Sequence, residues 1–454
     1  MKIIVAGLGK IGATLVSTLE AEGHDVVVID CNPQVIEEIT NMYDVMGVCG
    51  NCADTDALEE AGAKNAELLI AVAGSDELNM LSCFLAKKMG TKHTIARVRN
   101  PEYNDRSLGI MKQNLELSMV INPELVAARE MFHNLKLPSA AKVETFSVRN
   151  FEMIEHVLKP ESPFDGMALS ELRSKFKANF LICTVKRGEE AYIPDGNFVL
   201  KSGDRIGIVA AQSEIVKLLK EMGIVSTKAK TVMILGGSRT AFYLARRLSQ
   251  SGSKVTIIEK NRKHCEELSE ALPKTTVICG DSVNHELLIE EGLLSVDAFV
   301  SLTGLDEENI LLSSFASSKG VPKVIAKVNR DSLIPMAEHW GLDTVISPKK
   351  MISNVILRYV RALQNSEGSS VETLYKLMDD MVEALEFNVK NETSVLDIPF
   401  KELNLNKNTL IAGIIRDRKI IIPSGDDCIK EGDKIIVLAA GYRINRLSDI
   451  LKQR

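Results

Sequence analysis

The first thing missing from this 454-residue chain is a long apolar run. Nothing approaches the roughly 18 consecutive apolar residues of a membrane-spanning helix. The longest stretches, such as LLIAVAG at 68–74, have only the length of a strand. No charged and apolar leader precedes the first strand-like stretch, so a cytoplasmic chain is expected. An excess of positive charge is missing too: 55 Lys and Arg stand against 61 Asp and Glu, a formal net charge of -6. That balance argues against a nucleic-acid surface. The seven histidines show no H-x-x-x-H or similar spacing, so no metal site is expected. The eight cysteines are scattered through strand-like and helical stretches, as reduced thiols are. The one C-x-x-C, CGNC at 49–52, bridges a strand end and a loop. A redox pair needs a lowered thiolate pKa, usually at a helix N-terminus, so Cys49 and Cys52 read as two unpaired thiols.

What is present is a long internal repeat. KIIVAGLGKIGATLVSTLEAEGHDVVVIDCN (2–32) matches TVMILGGSRTAFYLARRLSQSGSKVTIIEKN (231–261) at an offset of 229. CGNCADTDALEEAGAKNAELLIAVAGSDELNML (49–81) matches CGDSVNHELLIEEGLLSVDAFVSLTGLDEENIL (279–311) at 230. YIPDGNFVLKSGDRIGIVAA (192–211) matches IIPSGDDCIKEGDKIIVLAA (421–440) at 229. This period is far too long for a solenoid. It reads as duplication of a two-domain unit, with boundaries expected at 138/139, 227/228 and 368/369. The last falls in the polar, small-residue stretch NSEGSS (365–370).

Within the first unit, strands alternate with helical stretches: KIIVAG, DVVVID, DVMGVCG, LLIAVA and HTIARV. These strands are apolar throughout, so both faces must be covered. The expected fold is α/β: two Rossmann-like doubly wound parallel-sheet domains, each followed by a small α+β domain. The small domains show short strands, turn clusters such as PDGN and KSGD, and an amphipathic stretch at 213–223.

Chemistry concentrates where the first strand meets G-x-G-x-x-G. Gly7 permits the tight turn, Gly9 lets the backbone approach a pyrophosphate, and Gly12 lets the helix pack closely on the strand. The helix N-terminus offers N–H groups and positive potential to phosphates. Asp30 ends the second strand, where a carboxylate accepts from a ribose diol and repels a 2′-phosphate. Asn51 and Cys52 follow the third strand, Ala73 and Gly74 the fourth, and Arg97 the fifth, so all should border the same crevice. Lys10 adds a cation within the glycine loop. The second copy reads GGSRTA (236–241): Gly236 keeps the turn, but Ser238 adds a Cβ where pyrophosphate would approach. Glu259 keeps a carboxylate, Thr303 follows the fourth strand, and Lys327 stands where Arg97 stood.

The glycine turn with Asp30, GSDELNM (74–80), IARV (95–98), IPDG and KSGD together resemble RCK (KTN) domains and their C-terminal partner domains. Two tandem copies in one chain resemble the regulatory subunits of Trk-type potassium uptake. The resemblance implies NAD(H), with ATP or ADP as further ligands, in the first crevice, at Gly7, Leu8, Gly9, Lys10, Ile11, Asp30, Ala73, Gly74 and Arg97. For the second crevice, with its altered GGSRTA loop, three readings stay open: a smaller nucleotide such as ATP or ADP, weak nucleotide binding, or none. It also implies a homo-oligomeric ring, typically a tetramer, peripheral on the inner face of the membrane beneath a TrkH- or TrkG-type potassium transporter. RCK domains associate through helices after the sheet. PELVAAREMFHNL (123–135) and ISNVILRYVRALQ (352–364) carry apolar stripes suited to that role or to an intramolecular core. The alternative reading, an NAD-dependent oxidoreductase, needs a positioned acid or base beside the nicotinamide. The small domains carry one histidine between them, His156, and no matched acid–base group. No catalytic residue is therefore expected.

Overall fold

Strand β1 (Lys2–Ala6) is buried on both faces from Ile3 onward and becomes the middle of a parallel sheet. The computed structural model describes residues 1–103, 105–136, 142–145, 151–222, 229–342, 344–365, 371–378, 381–389, 395–417, 419–442, 444 and 446–452. The three expected domain boundaries lie outside the described residues.

After β1 the chain runs α1 (Lys10–Ala21), β2 (Asp25–Asp30), α2 (Pro33–Met42), β3 (Met46–Cys49), α3 (Thr55–Glu60) and β4 (Leu68–Ala71). It continues through α4 (Asp76–Met89), β5 (His93–Arg97), α5 (Asp105–Asn114), β6 (Met119–Ile121) and α6 (Pro123–Lys136). The strands lie in the order β3-β2-β1-β4-β5-β6, all parallel. The sense in which strands are added reverses between β1 and β4, which opens a crevice beyond their C-terminal ends. The sixth strand has three residues, too few for a hydrophobic period, and sequence reasoning did not anticipate it.

An antiparallel unit follows: β7 (Lys142–Thr145), β8 (Phe151–Val157), α7 (Leu169–Lys175), β9 (Phe180–Arg187), β10 (Glu190–Tyr192), β11 (Arg205–Ala211) and α8 (Gln212–Glu221). Its strand order is β10-β9-β11-β8-β7.

The second half repeats the plan. It holds β12 (Thr231–Leu235), α9 (Arg239–Gln250), β13 (Lys254–Glu259), α10 (Arg262–Ala271), β14 (Thr276–Cys279), α11 (His285–Glu290) and β15 (Ala298–Ser301). Then come α12 (Asp306–Ser318), β16 (Lys323–Lys327), α13 (Ile334–His339), β17 (Val345–Ile346) and α14 (Pro348–Asn365). The final antiparallel sheet holds β18 (Val371–Leu377), β19 (Val382–Asn388), β20 (Thr409–Arg416), β21 (Lys419–Ile421) and β22 (Lys434–Ala440). The orders β14-β13-β12-β15-β16-β17 and β18-β19-β22-β20-β21 reproduce the first half strand for strand. The duplication seen in sequence is thus a duplication of two Rossmann-like domains, each followed by an antiparallel α+β unit.

The matched KSGD and KEGD turns have a structural explanation. Asp204 accepts from Arg187 Nε and Nη2, both at 2.7 Å, and from the Lys201 amide at 2.8 Å. Asp433 does the same with Arg416 at 2.8 and 2.7 Å and the Lys430 amide at 2.7 Å. Each carboxylate is 1% exposed, so a bidentate guanidinium and a backbone N–H together compensate its burial.

Between the halves, the last helices are exchanged. Ala127, Ala128, Met131 and Leu135 of α6 pack into the core of the second parallel sheet, beside Leu244, Ala245 and Leu248 of α9. Ile352, Ile356 and Val360 of α14 pack into the core of the first, beside Leu15 and Leu19 of α1. The two stripes read as association faces are therefore both buried inside one chain. Each large side chain buried in this way contributes about 1.5–3 kcal/mol. The antiparallel sheets also share a core: Met153, Cys183 and Val209 of the first meet Leu377, Ala384, Ile436 and Leu438 of the second. Among the described residues no helix is long and apolar enough to cross a membrane.

Candidate functional site

Gly7 takes a φ of +95°, and a Cβ there would lie 2.6 Å from the Ala73 backbone, so the turn out of β1 requires glycine. A Cβ on Gly12 would lie 2.0 Å from the Gly7 carbonyl oxygen, which is why α1 can seat against the turn only with glycine there. Gly9 differs from both. Space for a Cβ is open around it, and it caps α1 without offering a side chain to the first-turn N–H groups. Those donors face the crevice unclaimed by any capping side chain.

Asp30 closes the loop from the other side. One carboxylate oxygen accepts from the Leu8 amide at 2.7 Å and the other from the Asn32 amide at 2.9 Å. Each oxygen retains a further lone pair for a ligand hydroxyl. Leu8 contributes only its backbone, because its side chain belongs to the core. In the second half Glu259 accepts from the Gly237 amide at 2.7 Å and the Asn261 amide at 2.8 Å, the same arrangement.

Two further repeated residues hold the crevice wall. Asn79 donates to the carbonyls of Ala73 (3.1 Å) and Arg97 (2.9 Å), joining the loop after β4 to the end of β5. Asn309 does so between Thr303 and Lys327 at 3.3 and 3.0 Å. Asp76 accepts from the Arg99 and Asn100 amides, both at 2.8 Å. Within GSDELN, Asp76 and Asn79 therefore brace the walls of the site.

Helix exchange turns the two crevices toward one another. A cavity of about 810 Å³ is lined by Gly7, Gly9, Lys10, Ile11, Asp30, Asn51, Cys52, Ala73, Gly74 and Arg97 from the first half, and by Ser238, Arg239, Thr240, Lys327 and Lys349 from the second. Cations meet across it. Arg97 donates to the Ala73 carbonyl at 2.6 Å; burial, Arg99 beside it and Arg239 opposite depress its pKa. The Lys327 ammonium donates to the Leu302 carbonyl at 3.3 Å; burial depresses its pKa too, and Lys10 opposite adds to this. Glu124 at the start of α6 is the acid common to both neighbourhoods, and it also pairs with Arg99. Lys10 and Arg239 have no ion-pair partner among the described residues. One face of Arg97 is unsatisfied as well: its Nε is buried with no hydrogen-bond partner.

Two families of domain match the chain in alternation: the TrkA-N domain at residues 3–123 and 232–348, and the TrkA-C domain at 153–223 and 384–452. A Trk system potassium uptake protein TrkA homolog of Archaeoglobus fulgidus is 33% identical over 453 residues, covering 100% of both chains. This chain belongs to the TrkA family. A second member, from Vibrio alginolyticus, is 29% identical and covers 96% of this chain and 95% of its own. The fold is shared with a solved GsuK RCK domain, at TM-score 0.63 and 18% identity over 97% of this chain and 92% of that one. It is also shared with a GsuK channel bound to NAD, at TM-score 0.63 and 17% identity over 97% and 77%. The sequence relatives are named as potassium uptake proteins, not as enzymes, and the oxidoreductase alternative is set aside.

Against this TrkA architecture, the expected residues fall into three groups. Most first-half residues line the shared cavity, whereas Leu8 and Gly12 shape the loop from behind. Ser238 and Lys327 line that same cavity instead of a separate one. Gly236, Glu259 and Thr303 sit at the equivalent places of the second half, away from its lining. Sequence reasoning missed Arg239, Arg99, Glu124 and Lys349. Arg239 was within reach, since it occupies the loop position of Lys10 at the offset of 229. The other three become neighbours of the loop only through the sheet order and the exchanged helices.

Proposed function

We propose that this chain is the nucleotide-sensing subunit of a Trk-type potassium uptake system. It takes NAD(H), and ATP or ADP, in the first glycine crevice. It assembles with further copies into a tetrameric ring at the inner face of the membrane and gates a TrkH- or TrkG-type potassium transporter. The observation that carries this reading is the meeting of Lys10 with Lys327, and of Arg97 with Arg239, across one cavity.

The residues present suit a dinucleotide. Asp30 would accept from a ribose diol, the uncapped start of α1 would face the phosphates, and Gly9 leaves room for them. A bound nucleotide supplies phosphate charge. The chain's own cations then hold the two halves together, where without it they repel across the cavity. Ligands that favour one spacing of the halves shift the population toward it, and that shift drives the partner. The second crevice binds more weakly, because the Ser238 hydroxyl accepts from the Ala241 amide at 3.4 Å and so claims a donor at the start of α9.

The ring contact in this reading is a duplicated apolar face. Leu81 on α4 and Ile110 on α5 are 48% and 55% exposed, and their counterparts Leu311 and Trp340 are 58% and 48% exposed. The hydrogen bond from Tyr103 to Glu77, at 2.7 Å, ties the approach to α5 onto α4. Copies joined through both faces form a closed heterologous or isologous series. This differs from the association helices α6 and α14, which are consumed within the chain.

Calorimetric titration of the full chain with NAD, NADH, ATP and ADP tests the site, with Arg239→Ala expected to weaken binding as Arg97→Ala does. Binding that ignores Arg239 would refute the shared crevice. Light scattering tests the ring: Leu81→Asp with Trp340→Asp should yield smaller assemblies, and a monomeric wild type would defeat it. Potassium flux into vesicles holding the transporter, with and without nucleotide, tests gating.

A further inference from the structure

We propose that Cys265 and Cys279 form a redox-sensitive thiol pair, closed to a disulfide by a hydroperoxide, that clamps α10 to β14 beside the second glycine loop. Cys49 and Cys52 have the C-x-x-C spacing, but the fold places another pair of thiols at the end of β13. Cys265 sits in the first turns of α10 and donates to the Glu259 carbonyl at 3.2 Å. Cys279 ends β14, in register with Glu259, and its thiol lies 3.9 Å from the Lys260 carbonyl. The two thiols are thus held over the consecutive carbonyls of Glu259 and Lys260, one on each side of the β13 end. Cys279 is exposed and Cys265 buried, so an oxidant meets the first while the second waits beneath it.

The chemistry balances. The Cys279 thiol releases its proton to solvent and the thiolate attacks one oxygen of hydrogen peroxide; an S–O bond forms, the O–O bond breaks, and the departing hydroxide takes a proton back from solvent to leave as water. Cys265 then gives up its proton and its sulfur attacks the Cys279 sulfur. An S–S bond forms, the S–O bond breaks, and hydroxide takes the proton to leave as a second water. Two thiols lose two electrons in total and the peroxide gains them. Burial first, and Cys279 next, push the Cys265 thiol up to about 11. At neutral pH it therefore rests as the thiol, and its proton leaves only as its sulfur attacks Cys279.

The clamp bears on the loop through the residue next door. His264 Nε2 donates to the Gly237 carbonyl at 2.7 Å, linking α10 to the glycine turn. Fixing α10 to β14 fixes that link. The first half has no such device, because Ile36 stands where Cys265 stands. The influence of the clamp on a ligand rests on the nucleotide reading of the second crevice; the disulfide itself does not.

The full chain is reduced, exposed to hydrogen peroxide, alkylated and digested for mass spectrometry. The expected product is a Cys265–Cys279 crosslink, lighter by two hydrogens and reversed by dithiothreitol. It should be lost in Cys279→Ser and in Cys265→Ser, and retained in Cys31→Ser. Hydrogen exchange over residues 262–268 should slow about tenfold in the oxidised chain. Over-oxidation of Cys279 without a crosslink, a bridge among Cys31, Cys49 and Cys52 instead, or exchange unchanged by the bridge would each overturn the proposal.

Discussion

The two glycine loops share a backbone path and differ in what surrounds it. Gly7 and Gly236 both adopt positive φ, +95° and +83°. A Cβ on Gly7 would approach the next loop to 2.6 Å, whereas one on Gly236 would stop at 3.0 Å. The first turn is thus the tighter, and it demands glycine at position 12, where the second accepts Ala241 as a fully buried residue. The first helix begins at an uncapped Gly9; the second begins at Ser238, whose hydroxyl caps it. The difference teaches how a duplicated site diverges. The half that leaves its first-turn donors uncapped gives up a capping interaction. The half that caps its helix gains local stability and loses donors.

The largest expected effect probes where the halves do not differ. Asp204→Ala and Asp433→Ala should each destabilise by about 2–3 kcal/mol, since each removes the buried acceptor of a partly exposed bidentate arginine and of a backbone amide. Urea melts that separate the two variants would break the equivalence. Next comes the turn: Gly12→Ala should cost about 2 kcal/mol by overpacking, while Ala241→Gly should cost about 1 kcal/mol through helix propensity alone. Equal losses in urea would remove the claim that the first turn is tighter. The ligand comparison follows. Asp30→Ala should weaken NAD(H) binding about 10–100-fold, the worth of hydrogen bonds to a charged group, with Glu259→Ala leaving the first crevice nearly unchanged by calorimetry. Ser238→Gly should cost only about 0.3 kcal/mol as a cap and raise nucleotide affinity at the second crevice.

The smallest effect is a pH dependence confined to the second half. Burial works against a charged His264, but its bonds to the Gly237 carbonyl and Glu267 outweigh that and raise its pKa above the ordinary 6.5. A raised folded pKa means the charged form is favoured on folding. The contribution is therefore fully present below pH 6.5 and fades as pH climbs through the folded value. The Tm gap between wild type and His264→Gln should be widest in mild acid and narrow toward pH 8; a gap independent of pH would remove His264 from the loop's support.

Much of the fold was legible because it is local. Five apolar strands alternating with helical stretches predicted each parallel sheet, and the turn clusters predicted the antiparallel units. The three-residue β6 escaped, being shorter than any period that could announce it. The cradle residues were legible because one strand, one turn and one helix position Gly7, Gly9 and Asp30. GSDELN was recognised as a marker of the site, yet Asp76 and Asn79 serve to brace backbone, a role no spacing reveals.

The amino-acid sequence by itself determined the duplication, the element types and the chemistry of each glycine loop, since periodicity and turn residues act over a few positions. Tertiary structure alone decided that α6 and α14 would change places, that Arg239 would face Arg97, and that Cys265 and Cys279 would sit over neighbouring carbonyls. An apolar stripe dictates that a face must leave water, because the hydrophobic effect is non-directional. Which surface receives it depends on shape complementarity between segments more than a hundred residues apart.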